Sequence, residues 1–357
     1  MIDRLAQIWV KAFTIYLAFK DNCDFRIAGV TMKITYLLSA AALATLTACG
    51  GGEASTPTAP PVSMPSPTPP PVASPSYDPV FAFDADFQNF LLTVELQQAG
   101  VIENGRFARQ SVSFARDDRA IDKSVLWNAT AENITIRYGT EDVLFESSNL
   151  GSSVDNGRQW YKIMSEPYRS DAFTITKMES YTYLITAVHA QEYDLTDGTG
   201  RRVQKDRYGV GGSFTQISDL PASGIKIYRL SGSSTSPTRD GAGGLFAASQ
   251  PGTSDDAALS IDFASSTFSV PVYLERISAA NGNEPIKISV VLNGTYDAAT
   301  NRISGTIEST NSQYTGSFGG AFFGPQAEEL GIIYSLQHPT EEHVVGKITG
   351  DSGGTDI

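Results

Sequence analysis

The predicted fold depends on one stretch of the sequence, Tyr314-Thr-Gly-Ser-Phe-Gly-Gly-Ala-Phe-Phe-Gly-Pro-Gln-Ala-Glu-Glu-Leu-Gly331. Its first half alternates, so that one face of a strand would carry small and aromatic residues only: Tyr314, Gly316, Phe318, Gly320 and Phe322. Gly324-Pro325 would end the strand, and Gln326 to Leu330 can form a short helical turn before Gly331. Glycine inside a strand marks a bulge, a bend or a close backbone approach. We therefore predict that this stretch is the closing corner of a β-barrel.

The two segments before it have the same design. In 287–296 an apolar face alternates with a polar one, and 302–309 returns with the same pattern after a turn at 297–301. Gly294, Gly305 and Gly316 are spaced eleven residues apart, which suits a meander of ~8-residue strands and short turns. Small residues on the inner face are what a small barrel needs where its interior narrows.

The rest of the chain after residue 100 also has strand periodicity. Segments such as 134–138 and 173–177 alternate in polarity, and Asn-Gly or Asp-Gly pairs separate them, as at Asn156-Gly157 and Asp197-Gly198. The segment 81–96 is ambiguous, because its apolar residues also fit the spacing of a short amphipathic helix. With no alternation of strands and long helices, the predicted fold class is all-β.

Composition excludes some partners. The 357 residues carry a formal net charge of −13, with 26 Lys and Arg against 39 Asp and Glu. Nucleic-acid phosphates bind basic patches, so this acidic net charge excludes nucleic acid as a partner. An acidic surface also argues against electrostatic docking on anionic lipid.

A different kind of membrane attachment is predicted at the start of the chain. Residues 32–48 begin with Met32-Lys33, continue with a short apolar run and end in Leu-Thr-Ala before Cys49. This pattern resembles a bacterial lipoprotein signal, which implies a lipid-bearing (palmitoylated) Cys49 as the mature N-terminus. An ordinary secretory signal with an incidental cysteine is the alternative. Residues 1–31 fit an over-extended start better than a genuine long leader, and the apolar runs are too short to span a bilayer.

Residues 49–79 change in composition. Ten of the eighteen prolines fall between Pro57 and Pro79, among Ser, Thr and Ala. Such a segment cannot bury enough apolar surface to fold, so we predict an extended tether. A docking motif for another protein is the alternative interpretation of the prolines.

Residues suited to catalysis or to a cofactor are few. His338 and His343 lie on either side of Pro339, with Glu341 and Glu342 between them, and a solvated loop is the simpler interpretation than a metal site. His189 lies in an apolar strand, where a hydrogen-bonded barrel histidine is expected rather than a haem or metal ligand. The acidic pairs at 117–118, 255–256 and 328–329 are neighbours that a strand would point to opposite faces. We predict no enzyme, no cofactor and no metal.

Two motifs resemble one known family. The stretch from Gly316 is similar to the closing motif of the transferrin-binding protein B barrel, through these residues: Gly316, Phe318, Gly320, Phe322, Phe323, Gly324, Pro325, Ala327, Glu329 and Gly331. Upstream, the stretch Thr215-Gln-Ile-Ser-Asp-Leu-Pro-Ala-Ser-Gly-Ile-Lys-Ile-Tyr228 resembles the segment that leads into that barrel. The chain departs from the pattern at Ile332, where a second glycine is usual, and in its last strand.

The resemblance implies an eight-stranded antiparallel β-barrel preceded by a β-rich handle-like subdomain. The expected division is handle at 80–179, barrel at 180–350 and a disordered tail at 351–357. It also implies a lipoprotein anchored in the bacterial outer membrane that binds a protein or an iron-related solute beside an outer-membrane transporter. There is room for one lobe only, so host transferrin does not follow. Two alternatives stay open, a passive envelope or adhesion lipoprotein and a lipocalin-like carrier of a haem-like ligand.

Overall fold

The structure, a computed structural model, confirms the all-β prediction. It describes residues 76–78, 83–103, 106–119, 122–154, 157–165, 167–177, 180–236, 244–249, 257–277, 285–310, 313–339 and 343–353. Short 3₁₀ turns at Ser147–Asn149, Ile217–Asp219 and Pro325–Ala327 interrupt the strands. None of the described segments is a helix with the length and hydropathy to cross a membrane.

The first of two antiparallel sheets has ten strands and precedes the second along the chain. Its strands are β1 (Phe87–Glu103), β2 (Arg106–Asp117), β3 (Lys123–Asn128), β4 (Asn133–Tyr138), β5 (Glu141–Phe145), β6 (Leu150–Val154), β7 (Gly157–Ser165), β8 (Tyr168–Thr176), β9 (Leu184–Asp194) and β10 (Arg201–Gly212). Their order across the sheet is β5-β4-β3-β1-β10-β9-β8-β7-β6, and β2 pairs with the second half of β1.

This sheet curls on itself, and we call it the curled sheet. Phe145 on β5 stacks on Phe173 of β8 with ring centres 6.1 Å apart, although the two strands are six places apart in the sheet order. Inside the curl, the side chains of β1, β3, β4, β5, β7, β8 and β9 form one apolar cluster around Trp127 and Trp160. The curl thus allows the inward-facing side chains of these strands to pack against one another, away from water.

The second sheet is the barrel. Its strands are β11 (Ile225–Ser236), β12 (Gly244–Ser249), β13 (Ala257–Asp262), β14 (Thr267–Ile277), β15 (Pro285–Asp297), β16 (Arg302–Ser309), β17 (Thr315–Phe323), β18 (Glu329–Gln337) and β19 (His343–Asp351). The short β12 and β13 both lie between β11 and β14, so they occupy one position. Pairing of β11 with β19 closes the ring at eight positions, as the sequence predicts.

The barrel interior is filled with side chains. The apolar face predicted for each of β15 and β16 points inward, where Ile288, Leu292 and Ile303 are buried. Phe322 lies 5.2 Å from both Phe263 and Tyr296 between ring centres. Aromatic rings thus occupy the space that a cavity would need.

A third apolar cluster joins the barrel to the curled sheet. Ala321, Phe323, Ile333 and Val345 point outward from the barrel and pack on Leu92, Val94, Leu96, Tyr208 and Val210 of β1 and β10. Strand β17 is therefore buried on both faces over its last six residues. The alternation predicted for this strand described its inward face, while its outward face covers the neighbouring sheet.

Three details differ from the sequence prediction. The segment 184–212 forms β9 and β10 of the curled sheet, so the barrel begins at Ile225 rather than at residue 180. The helical alternative for 81–96 is wrong from Phe87 onward, because β1 starts there. The prediction of a disordered tail is wrong at residues 351 and 352, since Asp351 ends β19 and Ser352 is buried, and the rest of the predicted tail from residue 354 lies outside the described residues. Strand periodicity gives the face of a residue but not the sheet that its strand joins, which explains the first difference.

Candidate functional site

The two motifs recognised in the sequence meet at one corner of the barrel. This corner, Gly324–Glu328, links β17 to β18. Three side-chain hydrogen bonds join it to the upstream motif at residues 215–228: Thr215 Oγ1 to the Gly324 carbonyl (2.6 Å), Gln326 N–H to Asp219 Oδ2 (3.0 Å) and Tyr228 Oη to the Ala327 carbonyl (2.6 Å). The polar residues of the upstream motif thus satisfy backbone groups of the downstream one, as buried polar groups require.

The corner needs unusual backbone angles. Gln326 and Ala327 have φ of 50° and 59°, and Gly324 has φ of 74°. A Cβ on Gly324 would lie 2.3 Å from the ring of Tyr183, in the connection between β8 and β9, so glycine is required there by space as well as by φ. The strand stop predicted at Gly324-Pro325 is confirmed, because β17 ends at Phe323. The turn is shorter than predicted, since β18 already begins at Glu329.

Glu329 fastens this corner to the segment before β9. Its carboxylate accepts the backbone N–H of Thr182 (2.5 Å) and of Tyr183 (3.0 Å), and its side chain is buried. Burial raises the pKa of Glu329 to about 7, with a further increase from Asp351, while the backbone N–H groups oppose the shift. Glu329 therefore changes charge near neutral pH.

The end of the Pro-rich segment lies against the same corner. Tyr77 Oη donates to Asp219 Oδ2 (2.9 Å) and accepts the Gln216 N–H (3.0 Å). Its ring makes an edge contact with Tyr183, with 5.9 Å between centres. Burial raises the pKa of Tyr77 to about 12. Asp219 thus holds both the corner and residue 77, a role that the sequence pattern did not reveal.

A charged network fills one end of the curled sheet's interior. His189 lies between Arg207 and Asp171, with Nδ1 3.2 Å from Arg207 Nη1 and Nε2 3.3 Å from Asp171 Oδ1. The Arg207 guanidinium also donates to Glu95, its partner on the neighbouring β1, and to Glu141 at the start of β5. His189, Asp171 and Arg207 are all at least nine-tenths buried.

The network holds His189 neutral. Burial lowers the pKa of His189, and this outweighs the opposite effect of the Asp171 carboxylate. In the neutral ring Nε2 donates to Asp171 and Nδ1 accepts from Arg207, so both nitrogens are used. Burial alone would raise the pKa of Asp171, but hydrogen bonds from His189, Arg169 and Gln191 hold it well below its usual range. His189 is thus a hydrogen-bonded histidine as predicted, in the curled sheet instead of the barrel.

The remaining candidates do not converge. Asp117 binds Lys123 (2.7 Å) while Asp118 lies beside Arg116, so this acidic pair has separate partners. His338 follows β18 and contacts the Tyr314 ring, whereas His343 begins β19 and contacts Phe114. Over the described residues no group of three or more His, Cys, Asp or Glu side chains is arranged to hold a metal ion. Cys49, Asp255, Asp256, Glu341 and Glu342 lie outside the described residues.

The motif residues therefore have structural roles. Phe318 and Phe322 fill the barrel, and Phe323 covers the curled sheet. Gly320 and Gly331 allow close approach, because a Cβ on Gly320 would lie 2.4 Å from the Gly331 carbonyl. Glu329 joins the two sheets, and the corner residues make the turn.

This combination of a closed eight-stranded barrel, a curled sheet beside it and a fixed Gly-Pro corner defines a class of two-part β-proteins. Residues 220–352 match the family described as the C-lobe and N-lobe beta barrels of Tf-binding protein B. They form a β-barrel of the transferrin-binding protein B type, so the resemblance found in the two motifs is confirmed for this part of the chain.

Solved structures of transferrin-binding protein B are similar to this chain at low identity. A double mutant from Haemophilus parasuis Hp5 is 14% identical over 73% of this chain and 44% of its own, with a TM-score of 0.42. A single mutant from the same organism is 15% identical over 73% and 45%, with a TM-score of 0.40. Intact Ap-TbpB, with its N and C lobes, is 8% identical over 74% and 76%, with a TM-score of 0.39. The chain spans less than half the length of the two Haemophilus parasuis proteins, and no curated protein matches it in sequence.

Proposed function

We propose that this chain is a lipoprotein of the bacterial outer membrane that acts as a binding module for a protein or an iron-related solute. In this proposal Cys49 carries the lipid and the Pro-rich segment holds the folded part away from the membrane. The module does no chemistry and works beside an outer-membrane transporter. The observation that carries the proposal is the match of residues 220–352 to the barrels of Tf-binding protein B.

The filled barrel favours binding by surfaces over binding in the barrel interior. Aromatic side chains occupy the interior around Phe322, which argues against the lipocalin-like alternative. The similar structures are those of transferrin-binding proteins, and intact Ap-TbpB has an N and a C lobe. We propose a protein or solute ligand for this chain without extending the proposal to transferrin.

The anchor is tested by replacing Cys49. In cells that process lipoproteins, we expect the wild-type chain to fractionate with outer membranes and the Cys49→Ser variant to be released from them. Ser55→Ala is the control, since this residue lies six positions after Cys49 in the same segment, and we expect it to leave fractionation unchanged. A Cys49→Ser variant that stays on membranes as firmly as the wild type would refute the lipoprotein part of the proposal.

The binding role is tested by capture. The wild-type chain is isolated from cells grown with and without iron, and co-purifying proteins and small molecules are identified by mass spectrometry and absorbance. Reproducible capture of a transporter supports the proposal, and a bound chromophore supports the carrier alternative. If neither is found under iron limitation, the passive envelope role replaces the binding module.

A further inference from the structure

We propose that the curled sheet contains a recognition site for a carboxylate group, formed by the guanidinium of Arg158 and the indole N–H of Trp160. This inference rests on the proposed binding role and names the chemistry of its ligand. The site lies at the aromatic end of the interior, away from the charged network around His189.

Both side chains point into the curl. Arg158 and Trp160 are two residues apart on β7, so they share one face of the strand. Their partners across the β7–β8 pair are Ile175 and Phe173, which both belong to the apolar interior. Two residues along a strand span ~7 Å, a distance that one bound carboxylate and its attached group can bridge.

Aromatic rings surround the two groups. The central carbon of the Arg158 guanidinium lies 3.8 Å from the ring centre of Phe83 and 5.0 Å from that of Trp127. The Trp160 ring centre lies 6.1 Å from that of Trp127. A guanidinium held flat by aromatic faces keeps its N–H edges free to bind, and this arrangement suits planar anionic groups.

Arg158 has no counter-ion among the described residues. Six other arginines of the curled sheet or its connections pair with carboxylates: Arg116, Arg119, Arg137, Arg169, Arg202 and Arg207. In contrast, the Arg158 side chain makes no hydrogen bond or ion pair within the described part of the chain, and its Nε is buried. Burial lowers the pKa of this guanidinium, with Glu132 as the only charged group opposing the shift. A partly buried cation of this kind gains free energy when an anion binds.

The other unpaired groups here are also donors. Trp160 is fully buried, and its Nε1 has no acceptor in the described structure, whereas Trp127 Nε1 donates to the Phe83 carbonyl (3.1 Å). Asn89 Nδ2, buried on the same inward face two residues after Phe87, is also without an acceptor. Because these groups can only donate, the ligand must supply acceptors, and a carboxylate supplies two oxygens with the charge that Arg158 requires.

The test uses the indole signals of the whole chain in detergent. Two of the three tryptophans, Trp127 and Trp160, follow Cys49, so ¹⁵N-labelled tryptophan gives two N–H signals in the processed chain, assigned by single Trp→Phe replacements. Benzoate is the probe, and neutral benzamide has the same shape without the charge. We expect benzoate to shift the Trp160 signal saturably and more strongly than the Trp127 signal, whose N–H already donates to the Phe83 carbonyl, and benzamide to bind at least several-fold more weakly.

Variants identify the cation. Arg158→Gln should weaken benzoate binding by on the order of tenfold or more, since a charge-assisted hydrogen bond is lost. Arg158→Lys keeps the charge but not the forked donors, so its affinity for benzoate should lie between those of the wild type and Arg158→Gln. The Lys variant also tests the proposal if the Gln variant does not fold. Arg137→Gln is the matched control, because Arg137 is an exposed arginine paired with Asp142 on the outer part of the sheet, and we expect unchanged binding.

Two sources of carboxylate are distinguished by a second titration. The tripeptide Gly-Gly-Phe with a free carboxyl terminus represents a protein ligand, and the same peptide with an amidated terminus is its control. Stronger binding of the free tripeptide than of benzoate indicates a peptide terminus, and the reverse indicates a small aromatic acid. The proposal is overturned if benzoate leaves the Trp160 signal unchanged, or if Arg158→Gln binds it as the wild type does. Neither result depends on the anchor or on a transporter, so this failure is separable from failure of the proposed function.

Discussion

Glu329 shows how a single buried side chain ties the two sheets together. It begins β18 of the barrel, yet its carboxylate accepts N–H groups from Thr182 and Tyr183, which precede β9 of the curled sheet. Asp351 is opposite it on β19, and Glu328 adjoins it in sequence. Burial, and to a smaller extent the Asp351 carboxylate, raise its pKa to about 7.

The raised pKa predicts a pH-dependent contribution to stability. Because the folded protein binds this proton more tightly than the unfolded chain does, the contribution is largest in acid and is lost as the pH rises through 7. Glu329→Gln resembles the protonated form, so the variant should match the wild type at about pH 4, below the ordinary pKa of a glutamate. At pH 8 it should be more stable, by on the order of 1–3 kcal/mol. Denaturant unfolding at both pH values measures this difference.

Comparing the variant with the wild type cancels the effects of other titrating groups on stability. The lowered pKa of His189 and the raised pKa of Asp206, about 6, change stability over an overlapping range in both proteins. Only the difference between variant and wild type is therefore diagnostic. Glu308→Gln, at an exposed position of β16, is the control for the substitution itself. A difference between Glu329→Gln and the wild type that stays the same at both pH values would contradict the predicted role.

At the scale of elements, glycines in adjacent barrel strands make room for aromatic rings. Gly294 on β15 and Gly305 on β16 are directly opposite each other. A Cβ on Gly294 would lie 2.3 Å from the Phe268 ring, and a Cβ on Gly305 would lie 2.6 Å from the Phe318 ring. Two of the three glycines spaced eleven residues apart thus have a packing reason, because an aromatic ring occupies the space above each, whereas a Cβ on Gly316 would lie 2.0 Å from the Ser335 carbonyl.

Adding a methyl group at this place should therefore destabilise the barrel. Gly305→Ala puts its Cβ within 2.1 Å of the Asn293 carbonyl as well as against Phe318, so neither neighbour can move without disturbing the pair of strands. We expect a loss of roughly 1–3 kcal/mol of unfolding free energy. Gly209→Ala in β10 is the matched control, since its nearest contact would be an ordinary 3.5 Å. Equal losses for the two variants, measured by denaturant unfolding, would refute the packing argument.

At the scale of the whole molecule, neighbouring residues of β17 serve different interfaces. Phe322 packs inside the barrel, and Phe323 packs outside it against the curled sheet, with its ring centre 4.6 Å from that of Phe214. Both are fully buried. The pair allows the joint between the sheets to be tested separately from the barrel core.

Phe323→Ala should loosen the joint, and Phe322→Ala the barrel. Each change is expected to cost roughly 3–5 kcal/mol, because each leaves a cavity in a packed cluster. The distinguishing measurement is limited proteolysis of the connection 213–224 between β10 and β11. We expect faster cleavage there in Phe323→Ala than in Phe322→Ala at matched overall stability. The same cleavage rate in both would mean that the joint does not depend on Phe323.

The local sequence determined much of this architecture. Period-two alternation in 287–309 and in β17 identified strands, their inward faces and the Gly-Pro stop, because side-chain direction in a strand follows from position alone. The two quoted motifs added the closure into a barrel, and the family match confirms the barrel for 220–352.

Only the tertiary structure decided which strands share a sheet. Segment 184–212 alternates as barrel strands do, yet it belongs to the curled sheet. Its second strand, β10, pairs with β1, which lies about a hundred residues earlier in the chain. The His189 network, the hydrogen bonds from Thr215, Asp219 and Tyr228 to the corner, and the site at Arg158 all depend on such pairings. Strand pairing joins residues distant in sequence, and alternation specifies a face without naming the partner, so these sites could not be read from the sequence alone.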